Sequence, residues 1–163
     1  MSIYLKILLL GVCVMAACKQ PNKSASEKNI TAALASVHAF EKADLAAMKS
    51  FCGPGFIDYG SGEDRPWTNL DSMKVGMDAC NAAFGGQRVS NLQAFSSGDT
   101  VIVTDTWSGT FKYPFIGIKP NGKKFSYPDA EILVFNKDGL IISHRAIQSN
   151  NTAFAQLGIK LPL

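Results

Sequence analysis

The sequence predicts an α+β fold in which helices pack on one face of a curved antiparallel sheet. Apolar residues recur at helical spacing in the first half of the domain, whereas alternating strand-like segments and turn sequences fill the second half. Helices followed by an antiparallel meander define the α+β class. The 163 residues are 47% hydrophobic and 18% charged, which is typical of one globular domain.

Two helices are predicted at the start of the domain. Residues 27–43 carry apolar side chains at helical spacing, with Ile30 and Val37 on one stripe. Asp44 is suited to cap a second, shorter helix, whose inner face consists of Leu45, Met48 and Cys52. We expect this helix to end at Gly53-Pro54-Gly55, because that sequence favours a turn.

The remaining elements are predicted in the order helix, four strands, helix. A third helix is expected over residues 70–84, after a short extended piece at 56–59 and a loop at 60–66. Alternating apolar residues between turn sequences predict strands over residues 88–95, 100–111, 124–135 and 140–148. A short helix over residues 152–157 is expected to end the domain.

Residues 1–17 have the three-part layout of a secretory signal peptide. A short segment containing Lys6 is followed by an apolar stretch over residues 7–15 and then by the small residues Ala16 and Ala17. A transmembrane helix needs about 20 apolar residues, and this stretch is shorter. A permanent transmembrane helix is therefore the less favoured alternative.

The end of this leader, Met15-Ala16-Ala17-Cys18, resembles the lipobox of bacterial lipoproteins. The resemblance implies that Cys18 is lipidated and attaches the protein to the membrane, and ordinary cleavage that leaves a free thiol is the alternative. Residues 18–28 are polar and lack apolar periodicity, so we expect a tether to a domain at 29–163. Lys19 stands where lipoproteins of the inner membrane have Asp, which favours the outer membrane, facing the periplasm, as the location.

Charge and motif content argue against several function classes. The formal net charge of +3 comes without a basic run, so nucleic acid is not an expected partner. With two histidines and no His/Cys cluster at ligand spacing, no metal site is expected. The sequence has no glycine-rich phosphate loop, and we expect no cofactor.

Two of the four cysteines remain in the domain beyond Cys18. Cys52 and Cys80 lie on the apolar stripes of neighbouring predicted helices. In an oxidising compartment they could form a disulfide, worth roughly 3–4 kcal/mol in the chain-entropy model. Two buried free thiols are the alternative.

Two sequence phrases in the strand region point to a family. Residues 107–111 read Trp-Ser-Gly-Thr-Phe, and residues 115–123 read Phe-Ile-Gly-Ile-Lys-Pro-Asn-Gly-Lys. Together with His144, they resemble the SnoaL-like polyketide cyclases of the nuclear transport factor 2-like superfamily, and the similarity extends over residues 31–163. The resemblance implies a cone of three helices in a curved antiparallel sheet, with an internal pocket.

The resemblance also implies a carboxylate and a histidine that act as acid and base. Many relatives read His-Trp-Asp-x-x-Asp in the last strand, whereas residues 144–149 read His-Arg-Ala-Ile-Gln-Ser, which keeps the histidine and lacks both carboxylates. The candidate catalytic residues are therefore His144, Asp105 in an apolar row, and Glu131, which aligns with the family's usual Asp. Alternation leaves open whether the two acids face the pocket or solvent, and a core histidine without a catalytic role is the alternative for His144.

Four further side chains are expected to line the pocket: Tyr59, Trp107, Phe111 and Leu133. The favoured function is binding of a small, largely apolar molecule. The alternatives are an acid–base enzyme (a cyclase, isomerase or hydrolase of a carbonyl compound) and a structural module that pairs as a homodimer. A desolvated carboxylate within hydrogen-bond reach of His144 or Tyr59 would favour the enzyme, and a pocket filled by its own side chains would favour assembly.

Overall fold

The computed structural model of the protein describes residues 24–61, 66–115, 117–148 and 150–159. The predicted signal peptide, Cys18 and most of the predicted tether lie outside the described residues. The first helix begins at Ala25, so residues 25–28, expected to belong to the tether, are helical. No helix in the described part of the chain is long and apolar enough to cross a membrane.

Helices α1 (Ala25–Glu41) and α2 (Leu45–Phe51) begin at capping side chains. Ser24 and Glu27 exchange the two hydrogen bonds of a capping box at the start of α1. Asp44 accepts a hydrogen bond of 3.0 Å from the backbone N–H three residues further on. This bond confirms the predicted role of Asp44 as the cap of α2.

Helices α3 (Leu70–Ala83) and α4 (Asn150–Leu157) lie where the sequence predicted the third and the terminal helix. Met73 and Met77 lie one turn apart on α3, and both are buried in the core. The described residues thus form four helices. The resemblance implied three, and the short fourth helix was expected from the local sequence alone.

Five strands form one mixed sheet in the order β1-β5-β4-β3-β2. Their bounds are Cys52–Asp58, Arg88–Ser97, Thr100–Thr110, Lys124–Phe135 and Ile141–Ala146 for β1 to β5. Strands β2 to β5 form the antiparallel meander that the sequence predicted. The prediction of an antiparallel sheet is wrong for β1, which pairs in parallel with β5. The chain leaves β1 through α3 and returns to it only with the last strand, which runs in the same direction.

Strand β1 includes residues that we expected to end a helix. Gly53-Pro54-Gly55 lies inside the strand, and Cys52 begins it rather than extending α2. The register with β5 shifts between Cys52 and Ile57. Proline has no N–H to donate, which an edge strand tolerates, and β1 is an edge strand of this sheet.

One face of the sheet is buried in the core together with the inner sides of the helices. Alternate residues of β3 and β4 are buried on this face, among them Val101, Val103 and Leu133. Asp105 and Glu131 belong to the same face, each with 5% of its surface exposed. Alternation left the direction of these two carboxyl groups open, and in the structure both point inward.

Candidate functional site

A cavity of about 690 Å³ is enclosed by the buried face of the sheet and all four helices. Its wall is mainly apolar, with side chains such as Phe40, Met73, Met77, Phe125 and Leu157. The volume falls within the roughly 300–1,000 Å³ of small-molecule pockets. Because the protein's own side chains leave this space open, the cavity argues against a purely structural role.

His144 lies between two carboxylates on the cavity wall. Its Nδ1 is 2.9 Å from Asp58 Oδ1, and its Nε2 is 2.6 Å from Glu131 Oε2. The parallel pairing of β1 and β5 puts Asp58 directly beside His144. In the antiparallel pairing of β4 and β5, Leu133 is the direct partner of His144, so Glu131 is its diagonal neighbour on the same face.

The two carboxylates keep His144 protonated. Burial alone would lower the pKa of His144, but the hydrogen bonds and negative charges of Asp58 and Glu131 raise that pKa to about 10. A protonated imidazole donates from both ring nitrogens, so His144 donates one hydrogen bond to each carboxylate at neutral pH. It then has no lone pair to accept a proton from a ligand, whereas the Glu131 carboxylate does. Asp58 is held in turn by the backbone N–H of Gly60 at 2.7 Å.

Asp105 and Asp129 form a second pair of acids, directly opposite each other on β3 and β4. Each has 5% of its surface exposed, and neither lines the cavity. Burial, together with the charges of Glu131 and Asp129, raises the pKa of Asp105 to about 7. Burial and Glu131 likewise raise the pKa of Asp129 to about 6, although hydrogen bonds from Ala130 and Gln148 oppose the shift. Within the described residues, both oxygens of Asp105 lack a hydrogen-bond partner.

The structure brings together only some of the residues expected at the site. Trp107 and Leu133 line the cavity, as do Glu131 and His144, whereas Asp105 lies behind the wall.

Tyr59 and Phe111 do not line the cavity, which corrects the expectation for both. Tyr59 follows the last residue of β1, on the side opposite to Asp58, and its ring packs under the guanidinium of Arg145 at 5.0 Å. Phe111 lies just beyond the end of β3 and is 1% exposed in the core, where it contacts Phe84.

The polar residues of the wall that were not predicted from the sequence include Asp58, Tyr127 and Gln148. Tyr127 and Asp129 alternate with Glu131 along β4, so the sequence places all three on one face of the strand, although no role was assigned to Tyr127 or Asp129. Asp58 alternates with Phe56 in the same way, but the short β1 gave no sign of its neighbour β5. The tertiary pairing was needed to join Asp58 to His144.

Cys52 and Cys80 are free thiols that both line the cavity. Burial raises the pKa of both, and for Cys52 burial and the charge of Asp58 raise it to about 12, so both are protonated at neutral pH. The disulfide considered from the sequence is not formed in the structure. Among the described residues, no group of three or more His, Cys, Asp or Glu side chains is arranged to hold a metal ion.

Several solved structures share this fold. A proposed hydroxylase from Streptomyces galilaeus is 26% identical, with a TM-score of 0.69 over 86% of this chain and 85% of that chain. A proposed SnoaL-like polyketide cyclase from Jannaschia sp. CCS1 is 18% identical, with a TM-score of 0.75 over 87% and 99% of the two chains. A proposed polyketide cyclase from Streptomyces antibioticus is 23% identical, with a TM-score of 0.68 over 80% and 99%. None of the curated proteins matches the sequence.

The family itself is shown by the sequence. The sequence model of the SnoaL-like polyketide cyclase family matches residues 30–157, which is most of the chain and includes Asp58, Glu131 and His144. The α+β fold with its five-stranded mixed sheet agrees with this match. The chain therefore belongs to the SnoaL-like polyketide cyclase family.

Proposed function

We propose that the protein is an acid–base catalyst that acts on a small, largely apolar carbonyl compound bound in the cavity. The observation that carries the proposal is the hydrogen-bonded chain from Asp58 through His144 to Glu131 at the cavity wall. A desolvated carboxylate within reach of His144 was the feature that would favour an enzyme over a simple binding module. Glu131 meets that criterion at 2.6 Å, with 5% of its surface exposed.

Glu131 is the base in this proposal. Its carboxylate takes a proton from the carbon next to the ligand's carbonyl, and the electron pair of the broken C–H bond shifts into the carbonyl group to give an enolate. The positive charge of His144 lies beside Glu131 and stabilises the negative charge that develops on the ligand. The enolate carbon then attacks a second carbonyl, which closes a ring and gives an alkoxide that takes the proton from protonated Glu131. In a conjugated ligand, a different carbon of the enolate takes this proton instead, which moves a double bond.

Tyr127 is suited to bind an oxygen of the ligand. It lines the cavity on the same face of β4 as Glu131. Burial and the charges of Asp129, Glu131 and Asp105 raise the pKa of Tyr127 above its ordinary range, so the phenol keeps its proton. A protonated hydroxyl in a low-dielectric wall is a hydrogen-bond donor for a carbonyl or hydroxyl oxygen.

The chain departs from its relatives in the source of the carboxylate. The last strand has Ala146 where many relatives carry the first of two acids, and Ala146 lines the cavity here. The neighbouring strand supplies Glu131 instead, and β1 supplies Asp58 on the other side of His144. Solved structures with this fold are described both as cyclases and as a hydroxylase, so the reaction is inferred from these residues rather than from the fold.

The test is hydrogen–deuterium exchange of carbonyl compounds in D₂O, followed by proton NMR. A panel of aryl-substituted 1,3-diketones, β-keto esters and simple ketones would be incubated with the purified domain. We expect exchange of the protons next to the carbonyl to be faster than in buffer and to saturate with substrate concentration. Heat-denatured protein serves as the control. Exchange no faster than in buffer across the whole panel would contradict the proposal and leave a binding module.

We also propose that the protein is exported and held by lipid on Cys18, with the outer membrane, facing the periplasm, as its location. The support is the signal-peptide layout of residues 1–17, the Ala16-Ala17-Cys18 boundary and the presence of Lys19 rather than Asp after the cysteine. Several acyl chains on one cysteine provide firm anchoring, since each buried methylene contributes about 0.8 kcal/mol.

Labelled palmitate distinguishes this anchoring from ordinary cleavage. The wild-type chain is expected to incorporate the label, and Cys18→Ala is expected to lose it. Cys13→Ala, a matched change five residues upstream within the leader, should keep the label. Label retained in Cys18→Ala would show that Cys18 is not the lipidated residue.

A further inference from the structure

We infer that the cavity selects its ligand by charge and takes an apolar molecule that carries a protonated amine. The inference rests on the proposed function only in that both use the same cavity and that Glu131 has a part in each. It names the class of ligand rather than the reaction.

The polar part of the wall carries an excess of negative charge. Asp58 and Glu131 contribute two carboxylates, and the imidazolium of His144 compensates only one of them. Among the described residues, no lysine or arginine lines the cavity. Arg145, which follows His144 in the chain, stacks on Tyr59, and neither of these two residues lines the cavity. A ligand anion would therefore meet a wall with net negative charge, whose one positive group among the described residues, His144, is already paired with two carboxylates, and its entry is unfavourable.

Two further acids stand behind this wall. Asp105 and Asp129 are buried on the same face of the sheet as Glu131, and the charge of Glu131 raises the pKa of both. Both oxygens of Asp105 and one oxygen of Asp129 lack a hydrogen-bond partner within the described residues. The negative potential of this region is thus only partly compensated by the protein itself. A cation placed next to Glu131 and Asp58 would balance the remaining charge of the two wall carboxylates and reduce the negative potential of the acids behind them.

Two aromatic residues, Phe56 and Trp67, are neighbours of Asp58, the carboxylate at one end of the hydrogen-bonded chain. Phe56 lies two residues before Asp58 on the same face of β1, and Trp67 pairs with Asp58 through two backbone hydrogen bonds of 2.8 Å. Both rings line the cavity, and Trp67 is 42% exposed, so its ring also meets solvent. Ring faces attract ammonium groups, most strongly in the case of tryptophan. Carboxylates and ring faces in one region favour an amine over an alcohol or an acid with the same apolar body.

Three probes with one apolar body test this inference: 2-naphthylmethylamine, 2-naphthylmethanol and 2-naphthoic acid. At pH 7.5 they are a cation, a neutral molecule and an anion, and their affinities for the folded protein would be measured by calorimetry. We expect the amine to bind at least about tenfold more tightly than the alcohol, and the acid at least about tenfold more weakly. Equal affinities, or tighter binding of the acid, would overturn the inference.

Matched variants locate the selectivity. Glu131→Gln removes one negative charge at nearly constant shape, and we expect it to bring the affinities of amine and alcohol close to each other. Asp138→Asn, in the exposed turn between β4 and β5, removes the same charge away from the cavity and should preserve the preference. Trp67→Leu keeps all charges and should lower the preference for the amine about three- to tenfold, which supplies a test if Glu131→Gln does not fold.

The deuterium-exchange assay on the same samples separates the two proposals. Preference for the amine without any exchange would support the charge selectivity and contradict the catalytic function. Exchange without the preference would contradict the charge selectivity alone. A preference that persists unchanged in Glu131→Gln and in Trp67→Leu would show that these groups are not its source, which overturns the inference.

Discussion

Replacing Glu131 by Gln is expected to slow the exchange of carbonyl protons by roughly 10²–10⁴-fold, the usual contribution of a positioned general base. The amide keeps the shape of the side chain and still accepts a hydrogen bond from His144, but it cannot take a proton at neutral pH. The carbonyl compounds of the exchange panel are neutral and carry no amine, so their binding rests on the apolar wall, and we expect kcat to fall and KM to change little.

The control for Glu131→Gln is a variant that loses the same charge at a position outside the cavity. Asp138→Asn provides it, and its exchange rate should equal that of the wild type. Circular dichroism and thermal unfolding would show that Glu131→Gln is folded. If folded Glu131→Gln exchanged protons as fast as the wild type, Glu131 would not be the base, and the assignment would have to move to another group of the wall.

Replacing Asp105 by Asn is expected to stabilise the fold at pH 8 by up to about 4 kcal/mol, because the pKa rises from 3.8 to about 7 and each unit corresponds to about 1.4 kcal/mol. The pKa of Asp105 is raised from 3.8 to about 7 by burial and by neighbouring acids. Below pH 4 the carboxyl is neutral in the folded and unfolded chain alike, so it costs nothing. Between about pH 4 and pH 7 the unfolded chain ionises this carboxyl while the folded state keeps it protonated, so stability is lost over this range. Above about pH 7 the folded state bears a buried charge without a hydrogen-bond partner among the described residues, and the loss is complete. Asparagine imitates the protonated acid and removes this loss.

Urea unfolding of the wild type and of Asp105→Asn between pH 4 and pH 9 measures the effect. The two curves are expected to coincide near pH 4, to separate between about pH 4 and pH 7, and to run parallel above that. His144 acts in the same direction at higher pH in both proteins: its pKa is raised to about 10, so the stability of its two ion pairs is complete below about pH 6.5 and is lost as the pH approaches 10. A constant difference between the curves at all pH values, or a less stable Asp105→Asn at pH 8, would contradict the assignment of a buried, high-pKa carboxyl.

Much of this fold was determined by local patterns in the sequence. Periodicity located all four helices and the strands of the meander, and the side chain of Asp44 marked the start of α2. These features depend on interactions within a few residues, where side-chain spacing decides which face is buried. The same spacing grouped Asp105 with Trp107 on one face of β3 and Glu131 with Leu133 on one face of β4, but it left open whether these carboxyl groups point inward.

Only the tertiary structure decided which groups meet and how they titrate. Asp58 and His144 are 86 residues apart, and they touch because β1 pairs with β5 at the edge of the sheet. Alternation assigns a residue to a face but says nothing about the neighbouring strand, since strand partners are chosen by the packing of the whole chain. The pKa values of Asp105 and His144 depend on the same packing, because burial and nearby charges set them. His144 and Glu131 were therefore visible as candidates in the sequence, whereas Asp58 and the hydrogen-bonded arrangement of the three side chains required the fold.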